Sequence, residues 1–157
     1  METYIGTKLI RAKEMSQGDF NAEYHPFSFV PQSIEWAESE GYLVEYSNGY
    51  HSWSPKAVFE KSYFKLINNF ETEVPSISNE MVNAFIESYE VFTKQNKITI
   101  VIATLKNGFT IVESSACVSP ENYSEELGTQ ICKDKIINQV WNLLGFLLKS
   151  ATDKGEL

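Results

Sequence analysis

Two stretches of the chain concentrate the side chains that could do chemistry. The first is Ser114-Ser-Ala-Cys-Val-Ser-Pro-Glu-Asn-Tyr123. Ser114, Ser115, Ser119, Asn122 and Tyr123 supply neutral donors, Cys117 supplies a thiol, and Ser119-Pro120 is a helix-start signal. Backbone N–H groups at a helix N-terminus favour anions, so the chemistry on offer is holding a phosphate or a carboxylate. The plainer account makes Ser119 an N-cap and Cys117 a small buried side chain. The second stretch runs from Tyr46 to Lys56. Tyr46, Tyr50 and Trp53 offer planar faces on which a base can stack, Ser54 offers a capping hydroxyl, and Lys56 a cation beside a helix start. Its plainer account is a packed aromatic hairpin.

Neither stretch is equipped to make or break bonds. A nucleophilic Cys117 needs a base and an electropositive setting, and both histidines, His25 and His51, lie in the other half of the chain. The acidic groups Glu35, Glu38, Glu40 and Glu121, Glu125, Glu126 lack the His partners or Asp-rich loop of a metal site, so they read as solvated faces. There is no Gly-rich phosphate loop, nucleophile elbow or zinc motif. No catalytic residue, metal ligand or cofactor is expected, and the chain is read as a binding protein, not an enzyme.

The elements that must position these residues follow one plan used twice. Strand Tyr42–Tyr46 leads to Asn48-Gly49, and strand Ile98–Leu105 leads to Asn107-Gly108. Asn-Gly is the signature of a type I′ hairpin turn with both central residues at positive φ. That turn pairs Lys106 with Phe109, Thr104 with Ile111 and Ala103 with Val112. Each hairpin then reaches a Ser-Pro helix start, at Ser54-Pro55 and Ser119-Pro120. Upstream, Tyr4–Ile10 reads as a strand, Ser16 as the cap of a short helix, and Ser33–Glu38 as a helical turn. Val58, Phe59 and Tyr63 give the helix after Pro55 its stripe. Ser78 caps another helix, striped by Met81, Val82, Phe85, Ile86 and Tyr89. A long last helix, starting near Ser119-Pro120 or, after a short turn, near Ser124, carries Leu127, Ile131, Ile137, Val140, Trp141, Leu144 and Leu148 on its expected buried face. The fold class is α+β: an N-terminal β-α-β-β-α module at 1–65, a linker at 66–76, a C-terminal α-β-β-α module at 77–150, and a frayed tail at 151–157. The second hairpin is apolar on both faces, which calls for cover from the other module or from another copy of the chain, so a homo-oligomer is expected.

Composition bounds the partners. With 157 residues, 43% of them apolar and 13% aromatic, the chain has enough to build a core and is not disordered. Lys and Arg number 13 against 21 Asp and Glu, a formal charge of −8. Residues 1–65 hold 6 basic and 9 acidic residues and the remainder 7 and 12, so neither half is basic. Duplex nucleic acid is therefore not expected as a partner, although Lys8, Arg11 and Lys13 cluster locally. No apolar run approaches a membrane span or a signal sequence, and two cysteines make no disulfide scaffold, so no membrane partner is expected and a reducing cytoplasm is.

The second module resembles a family of small conserved proteins of tailed phages, named for gene product forty-nine of phage N-four and gene product sixty-six of phage Sf-six. The residues that carry it are Thr104-Leu-Lys-Asn-Gly-Phe109, Ser115-Ala-Cys-Val-Ser-Pro-Glu-Asn-Tyr123, Glu126-Leu-Gly128, and Trp141 with Gly145-Phe-Leu-Leu148. The family usually has Gly-Glu before Ser-Ala-Cys, where this chain has Glu113-Ser114, and Glu before the late Gly, where it has Leu144. The first module resembles a separate phage and prophage domain through Tyr4-Ile-Gly-Thr-Lys8, Ala12, Met15, Gly41-Tyr-Leu-Val-Glu-Tyr46, Ser52-Trp-Ser-Pro-Lys56 and Val58-Phe-Glu60. The resemblance implies a phage accessory protein of the host bacterial cytoplasm, with no enzymatic activity. The expected function is non-catalytic counter-defence, in which the protein sequesters a small nucleotide-derived immune signal. Amides would hold its phosphates and rings would stack on its base. The alternative is an acidic protein-binding inhibitor of a host defence protein, acting as a nucleic-acid mimic.

Overall fold

The computed structural model describes residues 1–26, 33–67 and 74–152. They fall into two compact units, one built on residues 1–64 and the other on residues 65–150. Each contains a three-stranded antiparallel sheet. The expected linker falls partly, and the expected frayed tail mostly, outside the described residues.

The first unit runs β1 (Arg11–Glu14), α1 (Gln17–Tyr24), α2 (Ile34–Ala37), β2 (Gly41–Glu45), β3 (His51–Pro55) and α3 (Lys56–Ser62). Ser16 caps α1 by accepting from Asp19 N at 3.1 Å, and Ser33 caps α2 by accepting from Trp36 N at 3.1 Å. The expected strand at Tyr4–Ile10 is not formed; the strand is Arg11–Glu14, paired with β2 from Arg11↔Glu45 to Glu14↔Tyr42. The reason is length. β2 ends at Glu45, where the chain turns, so residues before Arg11 have no rung to bond. Both sheet faces are covered. Tyr42 stacks on Phe59 of α3 at 4.1 Å, and Phe59 on Tyr63 at 4.9 Å. On the opposite face Tyr24 of α1 lies 4.9 Å from His51, with Phe20 and Leu43 buried. Val58, expected in the stripe of α3, is exposed instead.

The second unit runs α4 (Asn79–Phe85), β4 (Ile86–Lys94), β5 (Ile98–Leu105), β6 (Thr110–Ala116), a 3₁₀ turn at Pro120–Asn122, and α5 (Glu125–Ala151). The expected α-β-β-α order is thus corrected to α-β-β-β-α. Ser78 caps α4 as expected, but the helix stops at Phe85, and Ile86 and Tyr89 belong to a strand. Ile86–Lys94 is rich in aromatic and β-branched residues, and β5 offers it a free edge; that combination outweighs the apparent helical spacing.

Both hairpin turns depart from the type I′ expectation in the same way. Gly49 N donates to Tyr46 O at 2.9 Å, and Gly108 N to Leu105 O at 2.8 Å. The loops are three residues long, with only the glycine left-handed, at φ 80° and 81°. Paired positive φ values occur elsewhere, at Gln95 and Asn96 between β4 and β5. The longer loop moves the second hairpin by one residue: Ala103 pairs with Ile111 and Thr104 with Thr110. Because side chains alternate, this slip exchanges the two faces of β6. Ile111 is buried with Val101, Ala103 and Leu105, whereas Val112 turns outward.

α5 lies along that inward face. Its buried residues are Gly128, Cys132, Ile136, Val140 and Leu144, a strict i, i+4 row. The expected stripe is rotated by about one residue at its start, for Leu127 and Ile131 are exposed. Gly128 sets the rotation. It lies against Thr99 so closely that a Cβ there would overlap Thr99 Oγ1. No described helix is long and apolar enough to cross a membrane.

Candidate functional site

The segment Ser114–Tyr123 is drawn into the fold. Ser114 and Ser115 are consecutive on β6 and face opposite sides of the sheet. Cys117 N donates to Lys97 O, and its thiol to Ser119 O at 3.1 Å. Ser119 precedes the 3₁₀ turn but makes no side-chain cap, so of the two expected starts of the long helix the later one, after a short turn, is the one formed. The long helix begins beyond it, and Ser124 is the capping residue, accepting from Leu127 N at 3.2 Å. Glu125 and Glu126 occupy the first turn, so carboxylates already sit where the helix dipole favours negative charge. Asn122 is exposed on the 3₁₀ turn.

Tyr123 has the clearest role in this segment. Its hydroxyl lies 2.8 Å from Thr93 Oγ1 on β4 and 2.9 Å from Thr99 Oγ1 on β5. Thr93 also donates to Glu125. Thr99 is fully buried, and its carbonyl accepts from the Cys132 thiol at 3.8 Å. Burial pushes the Cys132 thiol above its ordinary value. The arrangement is a clasp that ties two strands to the start of α5 and satisfies a buried hydroxyl. Beside it, Glu113 accepts from Gln139 and lies 3.8 Å from Lys135, whose ammonium also donates to Ser114 O at 2.8 Å. Of the groups expected to form an anion opening here, the Cys117 thiol and the Tyr123 hydroxyl are engaged by the chain itself.

The aromatic stretch is arranged differently. Trp53 turns inward: its indole N–H donates to Met15 O at 2.9 Å, and its ring lies against Gly41, where a Cβ would collide with it. Ser54 is a strand residue opposite Tyr42, so the α3 cap position falls to Pro55. Lys56 sits at the far end of β3 from Tyr50. It pairs with Glu40 at 3.0 Å, and that hydrogen bond holds it above the ordinary lysine value. Of the expected ligand residues here, the structure brings together only Tyr46 and Tyr50. Their rings stack at 5.7 Å and 29°, and Ser52 Oγ donates to the Tyr46 hydroxyl at 3.3 Å.

A cation completes this pair. Lys8 Nζ lies 4.2 Å from the centroid of the Tyr46 ring. Lys8, Tyr46, Ser47, Asn48 and Tyr50 line an open hollow of about 460 Å³. Asn48 Oδ1 is engaged by Tyr50 N at 3.1 Å, which fixes the loop, and Tyr50 is 63% exposed. In a chain of charge −8, none of the five lining residues is acidic. Such a hollow presents an exposed ring, two side-chain polar groups and one exposed cation; that suits a planar group bearing negative charge. Lys8, Ser47 and Asn48 are absent from the expected site. Lys8 stands in the Tyr4-Ile-Gly-Thr-Lys8 block, which is the signal that could have singled it out.

A second hollow of about 300 Å³ lies at the opposite end of the same sheet. Glu14, Asp19, Glu38 and Glu40 line it, with Lys56, Met15, Ser16 and Gly41. Among the described residues no group of His, Cys, Asp and Glu is arranged to hold a metal ion.

No curated protein and no solved structure matches the chain. The block that carries the sequence resemblance in the second unit maps onto structural duties: Asn107 and Gly108 form the turn, Tyr123 the clasp, and Gly128 the contact with Thr99. Residues 77–152, the stretch that holds these features, match the model of the phage protein (N4 Gp49/phage Sf6 gene 66) family.

Proposed function

We propose that this phage protein acts by stoichiometric binding, as a counter-defence factor that sequesters a small nucleotide-derived signal of the host. The observation that supports the reading is the Lys8–Tyr46–Tyr50 hollow. A base stacks on Tyr50 or Tyr46, and Lys8 neutralises a phosphate. Stacking of a base on an aromatic side chain contributes about 1–3 kcal/mol. Sequestration needs affinity alone, so the absence of a recognisable catalytic motif is no obstacle to it.

Calorimetry of the full chain against cyclic dinucleotides, cyclic trinucleotides and ADP-ribose derivatives tests the proposal. Heat at a stoichiometry of one ligand per hollow, lost in Tyr50→Ala and Lys8→Ala, is the expected result. No heat with any of these ligands rejects it.

The acidic hollow favours a second reading, an inhibitor that binds a basic surface of a host protein. Four carboxylates there surround one lysine that is already paired with Glu40. A pulldown from host lysate that returns one stoichiometric partner, lost on Glu14→Lys with Glu38→Lys, distinguishes this reading from the first.

A further inference from the structure

The sheet β4–β5–β6 has two faces, and α5 occupies one. The register places Phe92, Ile100 and Ser114 side by side on the other, with Glu90, Ile102 and Val112 on one flank and Lys94, Ile98 and Ala116 on the opposite flank. Phe92 is 42% exposed and Val112 59%, and the three isoleucines are half-buried. The result is an apolar strip along β5, flanked on β6 by Val112, Ser114 and Ala116. Its two charges are both on β4, Glu90 and Lys94, placed symmetrically about Phe92.

We propose that this outward face is the docking surface for a second copy of the chain, related by a two-fold axis near Phe92. The charge pattern selects that occupant. In a two-fold interface each residue meets its counterpart's complement, so Glu90 of one copy faces Lys94 of the other while Phe92 meets Phe92. The face is self-complementary in charge and neutral overall. That matters for a chain of −8, because two copies approach with least repulsion where their surfaces carry no net charge. An unrelated partner would have to reproduce the same alternation. The axis pairs the apolar strip of one sheet with that of another, as sheets do when they stack about 10 Å apart. Three strands of about seven residues span roughly 14 by 24 Å. This lies well below the ~800 Å² per partner of a standard interface, so the dimer is weak and forms with rising concentration.

Sedimentation of the full chain from about 5 μM to about 500 μM, a range centred on the affinities of weak complexes, is the test. A monomer–dimer equilibrium is expected, abolished by Ile100→Glu. Glu90→Lys and Lys94→Glu should each weaken it about threefold to tenfold, and the double exchange should restore it. The two charge variants alter exposed residues only, so they decide the matter even if Ile100→Glu fails to fold. A monomer at every concentration overturns the proposal, as does a dimer indifferent to Glu90→Lys. Failure of the double exchange to restore association overturns the two-fold arrangement, and a host protein captured in place of the second copy, with the chain itself monomeric, overturns the choice of occupant.

Discussion

Tyr50 and Tyr123 both stand shortly after a hairpin of the same design, yet the fold uses them in opposite ways. Tyr50 follows a loop whose Gly49 is left-handed, and it stays 63% exposed beside Tyr46 and Lys8. Tyr123 follows the loop of Gly108 and β6, and its hydroxyl is engaged by Thr93 and Thr99. The difference comes from what covers each sheet. In the first unit short helices cover both faces and leave the hairpin tip open. In the second, a 27-residue helix lies along one face, and polar groups near its start are consumed in fixing it there. The teaching is that a run of hydroxyls and a helix start do not by themselves make an anion site. A polar cluster becomes available to a ligand only where the fold has not already spent it.

The largest expected effect tests the helix that makes the difference. Ile136 is fully buried between α5 and the sheet, and Ile136→Ala removes three carbons at a site with little room to collapse. A loss of about 2–5 kcal/mol in denaturant unfolding is expected. A loss below 1 kcal/mol would mean that α5 is not the principal cover of the sheet.

The two tyrosines give the next and most direct comparison. Tyr123→Phe keeps the ring and strands the buried Thr99 hydroxyl, with an expected cost of about 1–3 kcal/mol in stability. Tyr50→Ala removes an exposed ring, so its expected cost is within about 0.5 kcal/mol, while ligand affinity in calorimetry falls at least fivefold. Equal stability costs at the two positions would erase the contrast between clasp and platform.

A smaller effect concerns what the hairpins share. Gly49→Ala and Gly108→Ala each place a side chain at φ near 80°, with open space around the new Cβ. The penalty is therefore backbone strain alone, about 1–2 kcal/mol, and nearly the same in both. A difference greater than 1 kcal/mol between them would show that the loops are not equivalent.

What the sequence discloses follows the range of the forces involved. Caps at Ser16 and Ser78 are legible because an N-cap is settled by the residue and its next three neighbours. The existence of both hairpins is legible for the same reason. Their register is not, since one added loop residue is invisible in Asn-Gly and moves Ile111 and Val112 to opposite faces. The strand at Ile86–Lys94 is hidden because its apolar residues fit a helix as well as an edge strand, and only the free edge of β5 decides between them. The site shows the same limit. Tyr46 and Tyr50 are readable as platforms, but the cation beside them, Lys8, is 38 residues upstream of Tyr46, and the chosen Lys56 belongs to Glu40. Trp53 looked like a third ring and is withdrawn by a contact with Gly41 that no local pattern encodes.

The smallest expected effect comes from an ion pair that ties β1 to β2. Arg11 donates to both oxygens of Glu45, at 2.6 Å and 3.1 Å, and this hydrogen bonding holds the Glu45 carboxyl below the ordinary glutamate range. A carboxyl depressed in the folded state stabilises the fold above its unfolded pKa and loses that contribution as pH falls through its folded pKa. The window therefore lies below the ordinary value of 4.5. Glu45→Gln removes the ionisation, so the variant should lie slightly below the native chain in melting temperature at neutral pH and converge on it in acid. Added salt should narrow the neutral gap, because Arg11 is largely exposed and its charge is screened. A gap that persists unchanged in acid, once the carboxyl is protonated, would assign the effect to packing of the Glu45 side chain against the sheet and not to its charge.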